Sequence, residues 1–198
     1  MIIAVASSKG GVGKTTTSIH LAAYLQMRDP TLLVDSDMNQ TALDWFDLGL
    51  SPFKVVEESQ SAGIVGEFEH VVIDRPAENI GPETKALAES VDLVVIPTSP
   101  DAFSLTAVLK TAGELDQLPK GKYKILLTIC PPAPSKQAAE AREALDQLGV
   151  PLFKGQIRRA SAFQRSAVQG VPVYGVKGDS RKGLAWQDYL AIGREILP

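Results

Sequence analysis

The stretch Ser8-Lys9-Gly10-Gly11-Val12-Gly13-Lys14-Thr15-Thr16 follows the apolar run Ile2-Ile3-Ala4-Val5-Ala6 and opens a segment with helical spacing. Strand, glycine turn and helix start, in that order, make an anion site. Glycines let successive backbone N–H groups turn toward one centre, and the helix N-terminus adds the positive end of its dipole. In that setting Lys14 reaches the β and γ phosphates of a nucleotide and the Thr15 hydroxyl ligates Mg²⁺. The pattern G-x-x-x-x-G-K-[ST] is met only in part: Ser8 stands where its first glycine belongs, and a second lysine, Lys9, comes next. Gly10, Gly11, Val12, Gly13, Lys14, Thr15 and Thr16 are the candidate phosphate-binding residues.

Outward from this loop, short β-branched runs alternate with longer helical patterns. Buried strands are expected over 2–6, 32–34, 71–73, 91–96 and 123–129, each nearly all apolar and bounded by turn or charged residues. Helices are expected over 14–27, over 101–118 (Leu105, Val108, Leu109, Ala112 and Leu115 on one face) and over 135–148, which stops at Gly149. A further strand over 152–156 and a closing helix over 182–197 complete the order. Such alternation implies right-handed crossovers, hence one α/β domain over 1–198 with a mostly parallel twisted sheet between two helix layers.

Composition agrees. With 44% hydrophobic and 22% charged residues among 198, the chain can bury a core and is not disordered. No apolar run approaches the roughly 18 residues that a membrane span needs. The first six residues carry no basic region, which speaks against a secretory leader. A single cysteine, Cys130, allows neither an internal disulfide nor a thiolate metal cage and suits a reducing cytoplasm.

Two more strands end in acids. Leu32-Leu33-Val34-Asp35-Ser36-Asp37 delivers two carboxylates at a strand's C-terminal end, where open α/β sheets bind ligands. His70-Val71-Val72-Ile73-Asp74 delivers a third, in the arrangement by which an acid holds Mg²⁺ through its water.

K-G-G-V-G-K-T resembles the deviant Walker A loop of the ParA/MinD superfamily of P-loop ATPases, and the likeness extends over nearly the whole chain. The resemblance implies ATP and Mg²⁺ as cofactors. It sets Lys9 at the family's signature lysine, which reaches the phosphates of a partner's nucleotide and makes ATP the glue of a homodimer. It gives Asp37 the part of orienting and activating the attacking water, and places Asp35 in the Mg²⁺ shell with Thr15 and Asp74. Lys9, Lys14 and Asp37 are then the catalytic candidates. Residues 94–102 resemble the family's I-P-x-x-P strand and loop, and 157–159 and 170–173 resemble further family positions. The sequence departs from the pattern at Met38-Asn39, where the family has Pro-Gln, at Arg75 after Asp74, and near Thr128, where an Asn that reads adenine is missing. Arg75 is either a phosphate or interface contact or a surface charge. Trp45 falls where relatives often carry an aromatic, although a core anchor on a short helix explains it better.

The charge is uneven. Lys and Arg number 12 against 20 Asp and Glu in residues 1–149, and 8 against 3 in residues 150–198, balances of −8 and +5 within a net −3. Arg158, Arg159, Arg165, Arg181 and Lys182 are candidates for a phosphate-backbone footprint, with a solvated surface as the other reading. Within the superfamily, the helix over 182–197 lacks the cationic face that a membrane anchor needs, so no membrane partner is expected. His20 and His70 read as structural. The resemblance thus favours a small ParA type, of the kind that positions a plasmid, a chromosome region or a carboxysome. Its expected partners are a second copy, nonspecific double-stranded DNA and a cargo-bound adaptor protein, and its expected place is the cytoplasm, on the nucleoid. Two other readings stay open: a metabolic ATP-dependent amidoligase or synthase, and a nucleotide-gated protein-binding switch.

Overall fold

The computed structural model describes residues 1–79, 81–110, 112–115, 117–118 and 121–197, and leaves out the side chains of Leu109 and Ala112. Six strands, β1 (Ile2–Ser7), β2 (Thr31–Asp35), β3 (Lys54–Glu57), β4 (His70–Ala77), β5 (Leu93–Thr98) and β6 (Tyr123–Leu127), form one sheet in the order β3-β2-β4-β1-β5-β6. Every pairing is parallel. The chain leaves β1 toward one edge and later returns to lie on its other side at β5. That reversal opens a crevice at the C-terminal end of β1, where the glycine loop sits.

Alternation along the strands splits the core into two layers. Ile3 and Val5 of β1 face one way, with Leu33, Val72, Val95 and Leu126 of neighbouring strands. They are covered by α1 (Lys14–Gln26), α2 (Thr41–Asp47) and, at the chain's end, α9 (Lys182–Ile196). Ala4 and Ala6 face the other way with Val94, Ile96, Ile125 and Leu127. Between α2 and α9 in sequence lie α3 (Glu58–Ser61), α4 (Pro82–Ser90), α5 (Ala102–Lys110), α6 (Ala112–Leu115), α7 (Gln137–Gln147) and α8 (Ser161–Gln169). Ala88 of α4, Val108 of α5, Leu115 of α6 and Leu145 of α7 fill the second layer. Each fully buried aliphatic side chain contributes ~1.5–3 kcal/mol.

The expected strand over 152–156 is not formed; only Leu152 makes an isolated bridge, to Ile125. The segment does follow β6, with Phe153 N donating to Ile125 O at 3.0 Å and Ile157 N to Leu127 O at 2.8 Å. Between these points the N–H groups of Lys154 and Gly155 turn to the Glu195 carboxylate of α9, at 3.0 and 2.8 Å, and the ladder is interrupted. The helix expected over 101–118 falls on α5 and α6, with Thr111 and Asp116, and the side chains of Leu109 and Ala112, outside the described residues. β6 stops at Leu127, two residues early, because Ile129 adopts a left-handed conformation with φ 53°. No helix among the described residues is long and apolar enough to cross a membrane. α9 instead buries Ala185, Tyr189, Ile192 and Gly193.

Candidate nucleotide site

The loop between β1 and α1 is held at three points. The Ser7 hydroxyl donates to Lys9 O at 2.9 Å. Thr128, just past β6, donates its hydroxyl to Val12 O at 2.7 Å. Thr17 N donates to Gly13 O at 2.9 Å and starts the helix. Gly11 and Gly13 have φ of 78° and 86°, where a side chain is strained, and an added Cβ at either would meet nothing within 4 Å. Backbone conformation, not crowding by the protein, therefore calls for glycine there. Lys14, the first residue of α1, is 8% exposed and lies in the loop's shadow.

Two clefts adjoin the loop. One of about 230 Å³ is lined by Lys9, Gly10, Gly11, Asp101 and Arg159 among others. A wider one of about 810 Å³ runs past Gly11, Gly13 and Thr16 to Phe163 and Tyr189. The second has the size and mixed lining of a small-ligand pocket.

The acids stand on the same sheet edge. Asp35 and Asp74 are register partners across β2 and β4. Asp74 is fully buried; its Oδ1 accepts from the Ser18 hydroxyl at 2.7 Å and its Oδ2 has no partner. Burial pushes its carboxyl up to about 6, against the nearby hydroxyls of Thr15 and Ser18 and the charge of Lys14. A buried carboxylate oxygen without a donor, beside the Thr15 hydroxyl, suits a divalent cation. No cluster of three His, Cys, Asp or Glu able to hold a metal occurs among the described residues. Phosphate and water oxygens would have to complete such a cation's shell, as is usual for Mg²⁺.

The Asp35 carboxylate, expected in the Mg²⁺ shell, is engaged by backbone donors in this structure. Its Oδ1 accepts from Asp37 N at 3.1 Å, and its Oδ2 from Ala42 N and Leu43 N at 2.9 and 3.1 Å. It thus satisfies two free N–H groups in the first turn of α2 and fixes the turn that carries Asp37. Asp37 is half-buried, with Oδ1 accepting from Asn39 N and Nδ2 at 3.0 and 2.9 Å. Asn39, a departure from the family pattern, is therefore what holds the Asp37 carboxylate.

Lys9 lies back on its own chain: Nζ donates to Ser104 Oγ at 3.1 Å and to Asp101 Oδ1 at 3.4 Å, over the Phe103 ring. Arg75 pairs with Glu78 at 2.8 Å, while its Nε is buried without a partner.

A match to the model of the CobQ/CobB/MinD/ParA nucleotide binding domain covers residues 3–173. The chain belongs to this family. Among curated relatives it is 32% identical to the maintenance of carboxysome distribution protein A of Gloeobacter kilaueensis, over 98% of this chain and 93% of that one. It is 28% identical to the protein of the same name from Halothiobacillus neapolitanus, over 99% and 96%. In fold it resembles MinD in the MinC:MinD cell division complex of Aquifex aeolicus, with TM-score 0.75 at 18% identity, over 99% and 95%. Family membership makes the chain a nucleotide-binding ATPase.

Family position and geometry part company in the basic segment. Arg158 is locked to Asp188 of α9 by two bonds of 2.7 Å. Lys182 donates to Val176 O at 2.7 Å, and Arg165 to Gly178 O, with Asp179 at 3.9 Å. Arg181 adjoins this last group through its backbone N, which donates to Asp179 at 2.9 Å. Arg159 instead lines both clefts beside the phosphate loop. Arg158, Arg159 and Arg181 also border one further cleft, together with Asp179, the acid beside Arg165.

Sequence reasoning missed the uses made of Thr128, which anchors the loop from a strand's C-terminal end, and of His20. The His20 ring donates from Nδ1 to Thr16 O at 2.6 Å and accepts Val173 N on Nε2 at 3.0 Å, an assignment that follows from the two partners. It stacks on Tyr189 at 4.8 Å and meets the edge of Phe163 at 5.3 Å. Burial pushes its pKa down to about 4, against the bond to Thr16. Trp45 is a core anchor, 3% exposed, with Nε1 donating to Ser166 O at 3.2 Å.

Proposed function

We propose that this chain is a Mg²⁺-ATP-dependent dimerising ATPase that positions or segregates a cargo through ATP-regulated, nonspecific DNA binding and adaptor-stimulated hydrolysis. The observation that carries the reading is the half-exposed Lys9 at the mouth of the phosphate loop, held by contacts to Ser104, Asp101 and the Phe103 ring. A lysine so placed can leave its own chain for an anion on another. The relatives named for carboxysome distribution support a protein organelle as the cargo.

In this reading the backbone N–H groups of residues 10–15 and Lys14 bind the phosphates, with Thr16 at the wider cleft. Thr15 and Asp74 would hold Mg²⁺, which supplies charge neutralisation between the β and γ phosphates. Asp37 accepts the proton of the attacking water, held in place by Asn39. Asp35 acts through the backbone of residues 37–43 and is a positioning residue. Two triphosphates facing each other need positive charge between them, and Lys9 of each copy supplies it. The excess of +5 in residues 150–198 doubles on dimerisation, which favours salt-sensitive DNA binding by the dimer over the monomer. With the side chains of Arg158, Arg165 and Lys182 engaged within the chain, Arg159 and Arg181 are the freest of the five.

Sedimentation with and without Mg²⁺-ATP, with duplex DNA at two salt concentrations, on wild type and Asp37→Ala, tests the proposal. An ATP-dependent dimer that binds DNA, releases it at higher salt and is trapped by Asp37→Ala is expected. A monomer indifferent to DNA overturns it.

A further inference from the structure

Residues 157–159 run alongside the end of β6. Cys130 N donates to Ile157 O at 2.9 Å, Arg159 N donates to Cys130 O at 2.7 Å, and Cys130 makes a parallel bridge with Arg158. Arg158 also borders the wide cleft, but its guanidinium is consumed by Asp188 of α9. Arg159 leaves toward the phosphate loop, where it lines the narrow cleft with Lys9, Gly10 and Gly11 and the wide one with Gly13 and Thr16.

No acceptor takes the Arg159 guanidinium among the described residues. The acid that shares its narrow cleft, Asp101, is already engaged. Its Oδ1 accepts from Lys9 and Ser104 N, and its Oδ2 from the Ser99 and Ser104 hydroxyls. An exposed, uncommitted guanidinium therefore faces a loop whose glycines leave backbone N–H groups open to an anion. Its planar fork matches two phosphate oxygens at once.

We propose that Arg159 is a third cationic contact, beside Lys9 and Lys14, to the polyphosphate of a nucleoside di- or triphosphate, and not part of a DNA footprint. The phosphate belongs either to the chain's own nucleotide or to that of a second copy. The inference rests on the nucleotide reading above and assigns a residue to that site.

The test compares wild type, Arg159→Ala, Arg159→Lys and Arg181→Ala, all checked for unchanged melting. It measures affinity for Mg²⁺-ADP and for a non-hydrolysable Mg²⁺-ATP analogue, then DNA co-sedimentation at saturating analogue. Arg159→Ala is expected to weaken analogue binding about 10- to 100-fold, the size of a lost charge-assisted contact. Arg159→Lys recovers part of the loss, and DNA binding at saturation stays at the wild-type level. A parallel loss for Mg²⁺-ADP at low chain concentration places the phosphate on the chain's own nucleotide. A loss confined to the analogue at dimerising concentrations places it on the partner's. Wild-type nucleotide affinity in Arg159→Ala overturns the inference, as does a loss of DNA binding at saturating analogue. A wild-type chain that binds neither nucleotide overturns the underlying reading as well, so the two failures are told apart.

Discussion

Lys9 and Asp101, 92 positions apart, form an ion pair at 3.4 Å beside the phosphate loop, with their side chains 41% and 46% exposed. Burial alone would raise the Asp101 carboxyl, but hydrogen bonds from Ser99, Ser104 and Lys9 outweigh it and hold the group well below the usual carboxylate range. The acid thus stays charged at any working pH, and the pair competes with whatever anion Lys9 meets on another chain. Exposed pairs are worth ~0.2–1 kcal/mol, so the competition is modest. Asp101→Asn is expected to lower the chain concentration at which ATP drives dimerisation by about two- to fivefold. Sedimentation across a concentration series checks this. A higher threshold in the variant would mean that Asp101 serves the dimer instead of opposing it.

Asp74 carries a cost in the protein without its ligands. Its folded pKa of about 6 lies above the ordinary 3.8, so the native state binds more protons than the unfolded chain between those values. From this group alone, stability falls as pH rises through that window and stays reduced above it, by at most about 3 kcal/mol. Asp74→Asn removes the buried charge. Its ligand-free melting temperature at pH 7.5 is expected to equal or exceed that of wild type, while the extra stabilisation by Mg²⁺-ATP over ATP alone disappears. Melting curves with EDTA, ATP and Mg²⁺-ATP decide it. Retained Mg²⁺ dependence would remove Asp74 from the cation site.

His20 works in the opposite direction over nearly the same range. Its folded pKa of about 4 is below the ordinary 6.5. The stability it contributes is complete above pH 6.5 and is lost as pH falls toward 4. His20→Ala also strands the Val173 N–H and the rings of Tyr189 and Phe163, at an expected loss of ~2–4 kcal/mol at pH 7.5. Urea titrations at pH 7.5 and 5 should show a smaller penalty at pH 5, where wild type has already lost part of the contribution. An equal penalty at both values would argue against a buried neutral imidazole.

The Thr128 hydroxyl gives a way to loosen the loop without touching a phosphate ligand. Thr128→Val keeps the shape and removes the donor to Val12 O. The expected outcome is a loss of ~1–3 kcal/mol in stability and weaker nucleotide binding, both restored by Thr128→Ser. Unchanged nucleotide affinity in Thr128→Val would show that the loop keeps its form without this anchor.

How far the sequence could be read follows from where the information lay. β1, β2, β4 and β5 were legible because strands covered on both faces must be continuously apolar, and the glycine loop because the next element had to be a helix. β3 was not, since Lys54-Val55-Val56-Glu57 offers only two apolar residues at a sheet edge. α8 hid because what it buries, Ala162 and Ser166, is small. The acids at the sheet edge could be found from strand ends alone. What each carboxylate is bonded to could not, since Asp35 is spoken for by N–H groups seven and eight residues on. The basic residues were counted correctly but sorted poorly, because the partner of Arg158 lies 30 positions away in another helix.

A close approach between α9 and α1 gives a last test, independent of any ligand. A Cβ added at Gly193 of α9 would sit 2.5 Å from three ring carbons of Tyr24 in α1. Tyr24 cannot easily step aside: its hydroxyl donates to Leu197 O at 3.1 Å and accepts from Arg28 at 3.0 Å, and its ring is 5% exposed. The overlap must then be relieved by shifting α9 against α1, and such overpacking costs ~1–3 kcal/mol. For a chain of this size that is a fall of roughly 2–12 °C in melting temperature for Gly193→Ala. Because α1 begins at Lys14 and α9 carries Tyr189 of the wide cleft, the same shift should also weaken nucleotide binding. Adding Tyr24→Leu to Gly193→Ala frees the space, so the double variant should lose less stability than the two single losses summed. Strict additivity would show that the glycine is not needed for this contact.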